Sequence, residues 1–314
     1  MRKITYTFTS LIWIFLIFLS FVSAQESQSA DWLRVRSDDG EFSVEVPVNY
    51  DFYVDKDGFL VSDNSKSYRL SKMKMLNVYH EKTLLSFEVY ETNRSKTVAE
   101  ILADREDKYG KKSEIKLGEL KYKQVLIKKE NLYAVRRYLF SKDYLYVLTA
   151  ASRNGETPAL KRFLDSASLK APAANSAQNQ TVDTKTTFIP FASLKTSKLE
   201  IDPNPEPVKK SGDKNSPLST PVKSENSLPL VLIAKPSPSF TNAARQSNET
   251  GEIRMRVTFS ENGSVTKIGF LSTLKDGLIR ETVFAAIRVK YLPAEKDGEA
   301  VAVTKLIYYA FSIY

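Results

Sequence analysis

The stretch "GEIRMRVTFSENGSVTKIGFLS", which spans Gly251–Ser272, predicts a β-hairpin with one apolar face. In its first half apolar and polar residues alternate strictly, and the apolar positions are Ile253, Met255, Val257 and Phe259. The central "SENG" predicts a type I turn with Gly263 in the left-handed conformation, which adds a bulge. The bulge explains why the apolar residues Val265 and Ile268 are three positions apart.

Further helices and a strand are predicted on both sides of the hairpin. Before it, two prolines favour extended backbone, and a short helix is expected at Asn242–Gln246. After it, "GLIRETVFAAIRVKYLPA" (Gly277–Ala294) predicts a helix that Pro293 stops. Ala300–Tyr314 predicts a long final strand, and its core-facing residues are Val301, Val303, Ile307, Tyr309, Phe311 and Ile313. The order of elements is therefore helix, strand, strand, helix, strand.

Residues 230–314 resemble the C-terminal domain of TonB-family energy transducers. "KPSPSFTNAAR" (Lys235–Arg245) is similar to the entry motif of that family, which has a proline pair, an aromatic residue and an alanine–basic end. The hairpin and the segment after the second helix carry further positions of the family pattern: Gly251, Gly263, Val265, Lys290, Tyr291, Pro293, Ala294, Asp297, Gly298 and Val301.

The resemblance implies a binding function for the last strand. In that family the domain lies in the periplasm at the end of a Pro-rich tether. There it binds a short extended peptide of an outer-membrane TonB-dependent transporter, the TonB box, which adds a strand beside the domain's last strand. An open strand edge presents unpaired backbone groups that suit such an addition. The partner-binding residues expected here are Thr304, Lys305, Leu306, Ile307, Tyr308, Tyr309 and Ala310. The same edge could instead pair with a second copy and form a homodimer.

Residues 31–170 predict an α+β domain in which helices pack on an antiparallel sheet. The expected strands are Glu41–Val46, Leu84–Glu91, Tyr122–Lys129, Leu132–Phe140 and Tyr144–Ala151. One helix is expected over 97–109, and another begins at Thr157 and Pro158. "W…G.FSVEVP" (Trp32–Pro47) and "RFLDSASL" (Arg162–Leu169) resemble a PsbP/DcrB-type periplasmic domain. That fold hosts many unrelated roles, so it assigns no ligand.

Between the two domains, residues 171–229 predict a disordered Pro/Ser/Lys linker. Eight of the 13 prolines fall there, and most of the segment has no apolar periodicity that could build a core. As a flexible coil this tether would average about 40–45 Å. Its one apolar island, "FIPFASL" (Phe188–Leu194), could dock on a neighbouring domain, although a mere sticky patch is the simpler interpretation.

The N-terminus is typical of an export signal. Arg2 and Lys3 precede the apolar run Leu11–Val22, and "VSA" supplies a cleavage site after Ala24. Residues 1–24 are therefore expected to be a signal peptide, which makes the protein periplasmic. The alternative is an uncleaved anchor in the inner membrane over residues 6–24.

Composition excludes several classes of function. The chain has no cysteine, which removes thiol catalysis, disulfides and a lipoprotein anchor. Its only histidine is His80, so catalytic triads and two-histidine metal sites are not expected within one chain. The net charge of +9 is spread along the sequence, which argues against nucleic-acid binding. We expect no enzyme activity, no cofactor and no metal.

Two functional hypotheses remain open. The first is a TonB-like periplasmic protein that couples or adapts outer-membrane transporters for energised transport, with inner-membrane motor proteins as further partners. The second is a non-transducing envelope adaptor whose N-terminal domain binds a ligand or partner. The family's transducers keep an uncleaved anchor, usually with a histidine, and rarely carry a large folded domain before the tether. This chain departs from both features.

Overall fold

The computed structural model describes residues 32–37, 40–48, 51–54, 60–63, 66–69, 74–91, 110–117, 120–141, 144–169, 188–190, 199–202 and 226–313. The predicted export segment and the predicted helix over 97–109 lie outside the described residues. Within the described part of the chain, none of the helices has the length and hydrophobicity needed to cross a membrane.

The N-terminal domain is built around a seven-stranded antiparallel sheet. Its elements are β1 (Trp32–Arg36), β2 (Phe42–Pro47), β3 (Asp51–Val54), β4 (Leu60–Asp63), β5 (Lys66–Arg69), β6 (Lys74–His80), β7 (Thr83–Glu91), β8 (Lys111–Leu117), β9 (Leu120–Lys129), β10 (Leu132–Phe140), β11 (Tyr144–Ser152), α1 (Pro158–Ser166) and β12 (Ser168–Leu169). The large sheet has the order β3-β6-β7-β11-β10-β9-β8. A smaller sheet contains β12, β2 and β1, and β4 pairs with β5.

Helix α1 and the small sheet cover one face of the seven-stranded sheet. The Thr157 hydroxyl accepts a hydrogen bond from the Leu160 amide, and proline follows at the first helical position, as the sequence predicts. Phe163 is fully buried in an apolar core shared with β2, β7 and β11. Phe42 of β2 stacks on Tyr146 of β11 with ring centroids 4.3 Å apart.

Three short strands lie in the segment expected to be a structureless linker. They are β13 (Phe188–Pro190), β14 (Glu200–Asp202) and β15 (Ser227–Leu228). Strand β13 pairs in parallel with β1, so the apolar island follows the alternative interpretation of docking on a neighbouring domain and not the simpler one of a sticky patch. Strand β14 pairs in parallel with a strand of the C-terminal domain, because its "LEID" pattern offers apolar side chains at alternate positions.

The C-terminal domain begins at the strand after β15 and has its own four-stranded sheet. Its elements are β16 (Val231–Ala234), α2 (Asn242–Gln246), β17 (Gly251–Phe259), β18 (Val265–Ser272), α3 (Leu278–Ile287), β19 (Lys290–Leu292), β20 (Ala294–Lys296), β21 (Glu299–Val301) and β22 (Val303–Phe311). The sheet order is β14-β18-β17-β22, and α3 packs on its apolar face. The predicted α+β class is confirmed, with sheets in both domains.

The hairpin has the geometry that its sequence predicts. Gly263 has a φ of 88°, and the register between β17 and β18 shifts next to Phe259, where the bulge was expected. The four alternating apolar residues of β17 are fully buried: Ile253, Met255, Val257 and Phe259. Together with α3 and β22 they form the core of the domain.

The structure differs from the sequence prediction at two places after the hairpin. Helix α3 ends at Ile287 and not at Pro293, because Lys290–Leu292 forms a buried strand that pairs with β16. The Tyr291 hydroxyl lies between the Ser260 and Ser264 carbonyl oxygens, at 2.9 and 2.7 Å, and so ties this strand to the hairpin turn. The long final strand is interrupted between β21 and β22, and Ile313, expected in the core, is 45% exposed beyond its end.

Candidate functional site: the open edge of the C-terminal sheet

All seven residues predicted to bind a partner lie on β22, and the structure divides them into buried and exposed side chains. Ile307 and Tyr309 are buried in the core of the domain, as expected. The other five are exposed: Thr304, Lys305, Leu306, Tyr308 and Ala310. Leu306 and Tyr308 are large side chains with 49% and 56% exposure, so this part of the strand presents apolar surface to solvent.

Strand β22 is an edge strand. Its residues pair antiparallel with β17 from Val303 to Phe311, and in the described residues no strand pairs with its other side. An edge of this kind exposes a row of backbone N–H and C=O groups to which an extended chain can bind. Within the described residues, an extended chain has access to this side of β22.

Lys235 identifies which backbone groups point to the open side. Its Nζ atom donates a hydrogen bond of 2.9 Å to the Tyr308 carbonyl oxygen and lies 5.0 and 4.6 Å from the ring centroids of Tyr308 and Tyr309. Neighbouring side chains on a strand point to opposite faces. An atom near both rings therefore lies beside the strand, and β17 already occupies the other side. The Tyr308 carbonyl consequently points to the open edge.

The direction of one carbonyl fixes the direction of the others on the strand. In an antiparallel strand, the N–H and C=O of a residue point the same way, and the direction alternates along the chain. Thr304, Leu306 and Ala310 thus also direct their backbone groups to the open side. The hydroxyl contact of 3.0 Å between Thr304 and Thr258 of β17 fits this assignment, since side chains approach most closely at pairs without backbone hydrogen bonds.

The opposite edge of the same sheet is closed by the chain itself. Strand β14 pairs with Lys267–Gly269 of β18, and Leu199 and Ile201 pack against the core of the domain. The Glu200 carboxylate accepts a 2.7 Å hydrogen bond from Lys267, which raises the pKa of that lysine. The C-terminal sheet therefore already holds one added strand, at the edge farthest from β22.

Sequence reasoning missed both Lys235 and β14 as parts of the two edges. Lys235 was identified only as the first residue of the entry motif, and its contact with Tyr308 spans 73 positions. The alternating "LEID" of Leu199–Asp202 is a strand signal inside the linker that could have been found.

His80, the only histidine, ends β6 with its ring edge-on to Trp32 and 3.7 Å from Glu81.

Comparison with known proteins confirms the resemblance of the C-terminal domain. Residues 236–313 match the family described as Gram-negative bacterial TonB protein C-terminal. A domain of this family indicates a TonB-like protein of the cell envelope. No curated protein matches the chain.

Two solved structures are similar to part of the chain. One is a crystal structure from Bacteroides thetaiotaomicron VPI-5482 at 8% identity and a TM-score of 0.27, covering 45% of this chain and 48% of that one. The chain thus spans about half the length of that protein. The other is the solution structure of cyanobacterial PsbP (CyanoP) from Synechocystis sp. PCC 6803 at 8% identity and a TM-score of 0.30, covering 46% of this chain and 96% of that one.

Proposed function

We propose that this chain is a periplasmic TonB-like protein that binds an extended peptide of an outer-membrane TonB-dependent transporter. The peptide adds a strand to the open edge of β22, along Thr304–Ala310. The observation that carries the proposal is the open side of β22, where alternate residues direct backbone groups outward that no strand in the described residues pairs, within a domain that matches the TonB C-terminal family. The function is binding and involves no catalysis.

The energetics favour a reversible complex. The four outward-facing residues present up to eight backbone groups, and hydrogen bonds at about 0.5–1.5 kcal/mol each, less the cost of ordering the peptide, correspond to micromolar or weaker binding. Leu306 and Tyr308 offer apolar contacts on the outward face of the strand, and Lys305 is an exposed positive charge beside them. These features fit a peptide that alternates apolar with neutral or acidic residues.

Photo-crosslinking in cells tests the identity of the partner. A photoreactive amino acid in place of Tyr308 should capture an outer-membrane TonB-dependent transporter. The same substitution at Lys112, an exposed residue of the N-terminal domain, serves as the control and should not capture it. Capture of only a second copy of this chain from position 308 would replace the transporter with a homodimer as the occupant of the edge.

Whether transport is energised depends on the N-terminus. In the proposal, residues 1–24 are a signal peptide that is cleaved after Ala24, and the exported protein adapts transporters without a motor. The alternative is an anchor over residues 6–24 through which inner-membrane motor proteins act. Mass spectrometry of the exported protein separates the two, because only a chain that retains Met1 in the inner membrane supports motor coupling.

A further inference from the structure

The second face of the seven-stranded sheet is apolar and is covered by the C-terminal domain. Residues of β7 and β11 on this face are buried together with Ile233 of β16 and Leu292 of β19: Leu84, Tyr90, Leu145, Val147 and Ala151. Leu292 is fully buried. Met75 of β6 likewise lies in the core cluster of the C-terminal domain. Since apolar burial is the main favourable term in association, this contact supplies stability to the docked arrangement.

A buried cluster of charges joins the two domains beside the apolar contact. The Glu88 carboxylate of β7 lies 3.2 Å from Lys290 Nζ and 3.7 Å from Arg288 Nε. Lys290 also donates to Asn77 Oδ1 at 3.1 Å, and the Arg288 guanidinium donates to the Tyr90 hydroxyl at 2.8 Å. Lys290 is 1% exposed, so its charge is matched by groups of the N-terminal domain and not by water.

The electrostatics of the cluster agree with close packing. Burial lowers the pKa of Lys290 to about 8, against the opposing effect of Glu88. Burial alone would raise the pKa of Glu88, but Lys290, Arg288 and Arg136 together hold it below its usual range. Buried ion pairs add little net stability, but in some proteins they favour one specific arrangement. Here the cluster joins charged groups of both domains in a single buried network.

Arg153, which follows β11, binds three groups of the C-terminal half. Its guanidinium donates to the Glu295 carboxylate at 3.3 Å and to the carbonyl oxygens of Pro229 and Pro293 at 2.6 and 2.8 Å. Glu295 is 4% exposed and also accepts a 2.9 Å hydrogen bond from the Tyr79 hydroxyl. One arginine thus connects the N-terminal domain to the start of the C-terminal domain and to β20.

The hairpin turn of the C-terminal domain also packs closely against the N-terminal domain. A Cβ atom on Gly263 would lie 2.6 Å from Leu84 Cδ1, which is closer than such atoms approach in proteins. The positive φ of Gly263 disfavours a side chain independently. A side chain at this position would therefore require Leu84 or the turn to shift.

We infer that the N-terminal domain is the fixed docking partner of the C-terminal domain, so that the protein presents the β22 edge from a two-domain body. The contacts described above use β16, β19, β20 and the hairpin turn, and they leave the open side of β22 available. Because both domains belong to one chain, docking occurs at a high effective concentration. The reach of the β22 edge is then set by the body and not by the length of the linker. This inference does not depend on the identity of the peptide partner.

A distance measurement between two spin labels on the full chain tests the docking. The chain has no cysteine, so the substitutions Glu130→Cys and Ala243→Cys, both at exposed positions, allow one spin label to be attached to each domain. Double electron–electron resonance should give a single narrow distance distribution. A broad distribution spread over tens of ångström, as a free tether of this length would give, overturns the inference.

Charge reversal at the interface sharpens the test. Arg153→Glu with Lys290→Glu should broaden the distribution, because both changes place like charges against Glu295 and Glu88. The control Lys112→Glu with Lys116→Glu has the same net charge at exposed positions and should keep it narrow. A narrow distribution in the interface variant with both domains folded overturns the inference. If that variant unfolds, Arg153→Glu alone, which changes no residue of the C-terminal domain, takes its place with the same expected result.

Discussion

Strands β18 and β22, which flank β17 in the C-terminal sheet, differ in whether another described strand covers their outer edge. The β18 edge is covered by β14, which contributes backbone pairing, an ion pair with Lys267 and apolar packing from Leu199 and Ile201. Within the part of the chain that the structure describes, no strand covers the β22 edge, and the Lys235 side chain donates a hydrogen bond to the Tyr308 carbonyl there. An exposed edge is an aggregation hazard that proteins normally close. In the proposed function, the edge that the described residues leave open is the one that binds the partner.

The two coverings also differ in how easily they can be displaced. Removing β14 would expose apolar side chains that pack on the domain core, whereas moving Lys235 returns a single ammonium group to water. A peptide that adds to β22 therefore competes with the contacts of one side chain, which include a hydrogen bond of about 1 kcal/mol net value and the contacts of the same ammonium group with the Tyr308 and Tyr309 rings. A peptide that adds to β18 would have to displace a packed strand.

The largest expected effect is a loss of stability when a buried side chain of β22 is truncated, compared with an exposed side chain that is proposed to contact the peptide. Ile307→Ala should lower the free energy of unfolding of the C-terminal domain by about 2–4 kcal/mol, because it removes a buried side chain from the core. Leu306→Ala, on the exposed face next to it, should change stability by less than about 0.5 kcal/mol. Chemical denaturation of the two variants measures the difference. Equal losses would mean that both faces of the strand are buried in solution.

Leu306→Pro should weaken peptide binding by about tenfold or more with only modest destabilisation. The Leu306 N–H points to the open side, so proline there removes a donor for the peptide and leaves the ladder to β17 in place. Fluorescence anisotropy with a labelled TonB-box peptide measures the affinity, and Leu306→Ala is the matched control. Unfolding of the domain by Leu306→Pro would show that this N–H is paired inside the sheet.

Opening the closed edge should make the two edges alike. Ile201→Asp places a charge where β14 packs on the core and should release that strand. Amide hydrogen exchange at the β18 groups that face β14 should then accelerate about tenfold, toward the rate of the Leu306 and Tyr308 amides. Asp202→Ala, at the end of the same strand, should leave exchange nearly unchanged. If Ile201→Asp has no effect on exchange, β14 does not close the edge.

The smallest effect is expected from Lys235→Met. Losing the ammonium group frees the Tyr308 carbonyl, so the affinity for a peptide without charged side chains should rise by about twofold to threefold. Lys305→Met, which removes an exposed charge without freeing a carbonyl, is the control and should leave that affinity unchanged. A loss of binding in Lys235→Met would instead assign Lys235 a direct contact with the peptide.

The sequence predicts the features that depend on residues close together in the chain better than those that depend on distant residues. The hairpin, its bulge at Gly263 and the Thr157 cap depend on neighbouring residues, so their patterns are visible in the sequence. The end of α3 was misplaced because the pairing of β19 with β16, distant in sequence, overrides the helical pattern.

The sequence gives only a weak indication that a second domain packs on the large sheet. Strand β11, "YLYVLTAAS", is buried along almost its whole length, and such a continuous apolar run is typical of a strand covered on both faces. Neither the run nor its length shows what lies on the second face, since the contacts of Glu88 and Arg153 join residues more than a hundred positions apart.

The most direct test of the central claim is a titration of the full chain with a TonB-box peptide, followed by backbone amide chemical shifts. We expect shifts only at Thr304–Ala310 and its β17 neighbours, with the amides of Lys267–Gly269 unchanged. The protein should remain monomeric throughout. Shifts at the β18 edge, or on another surface of the folded monomer with β22 silent, would contradict strand addition at the open edge.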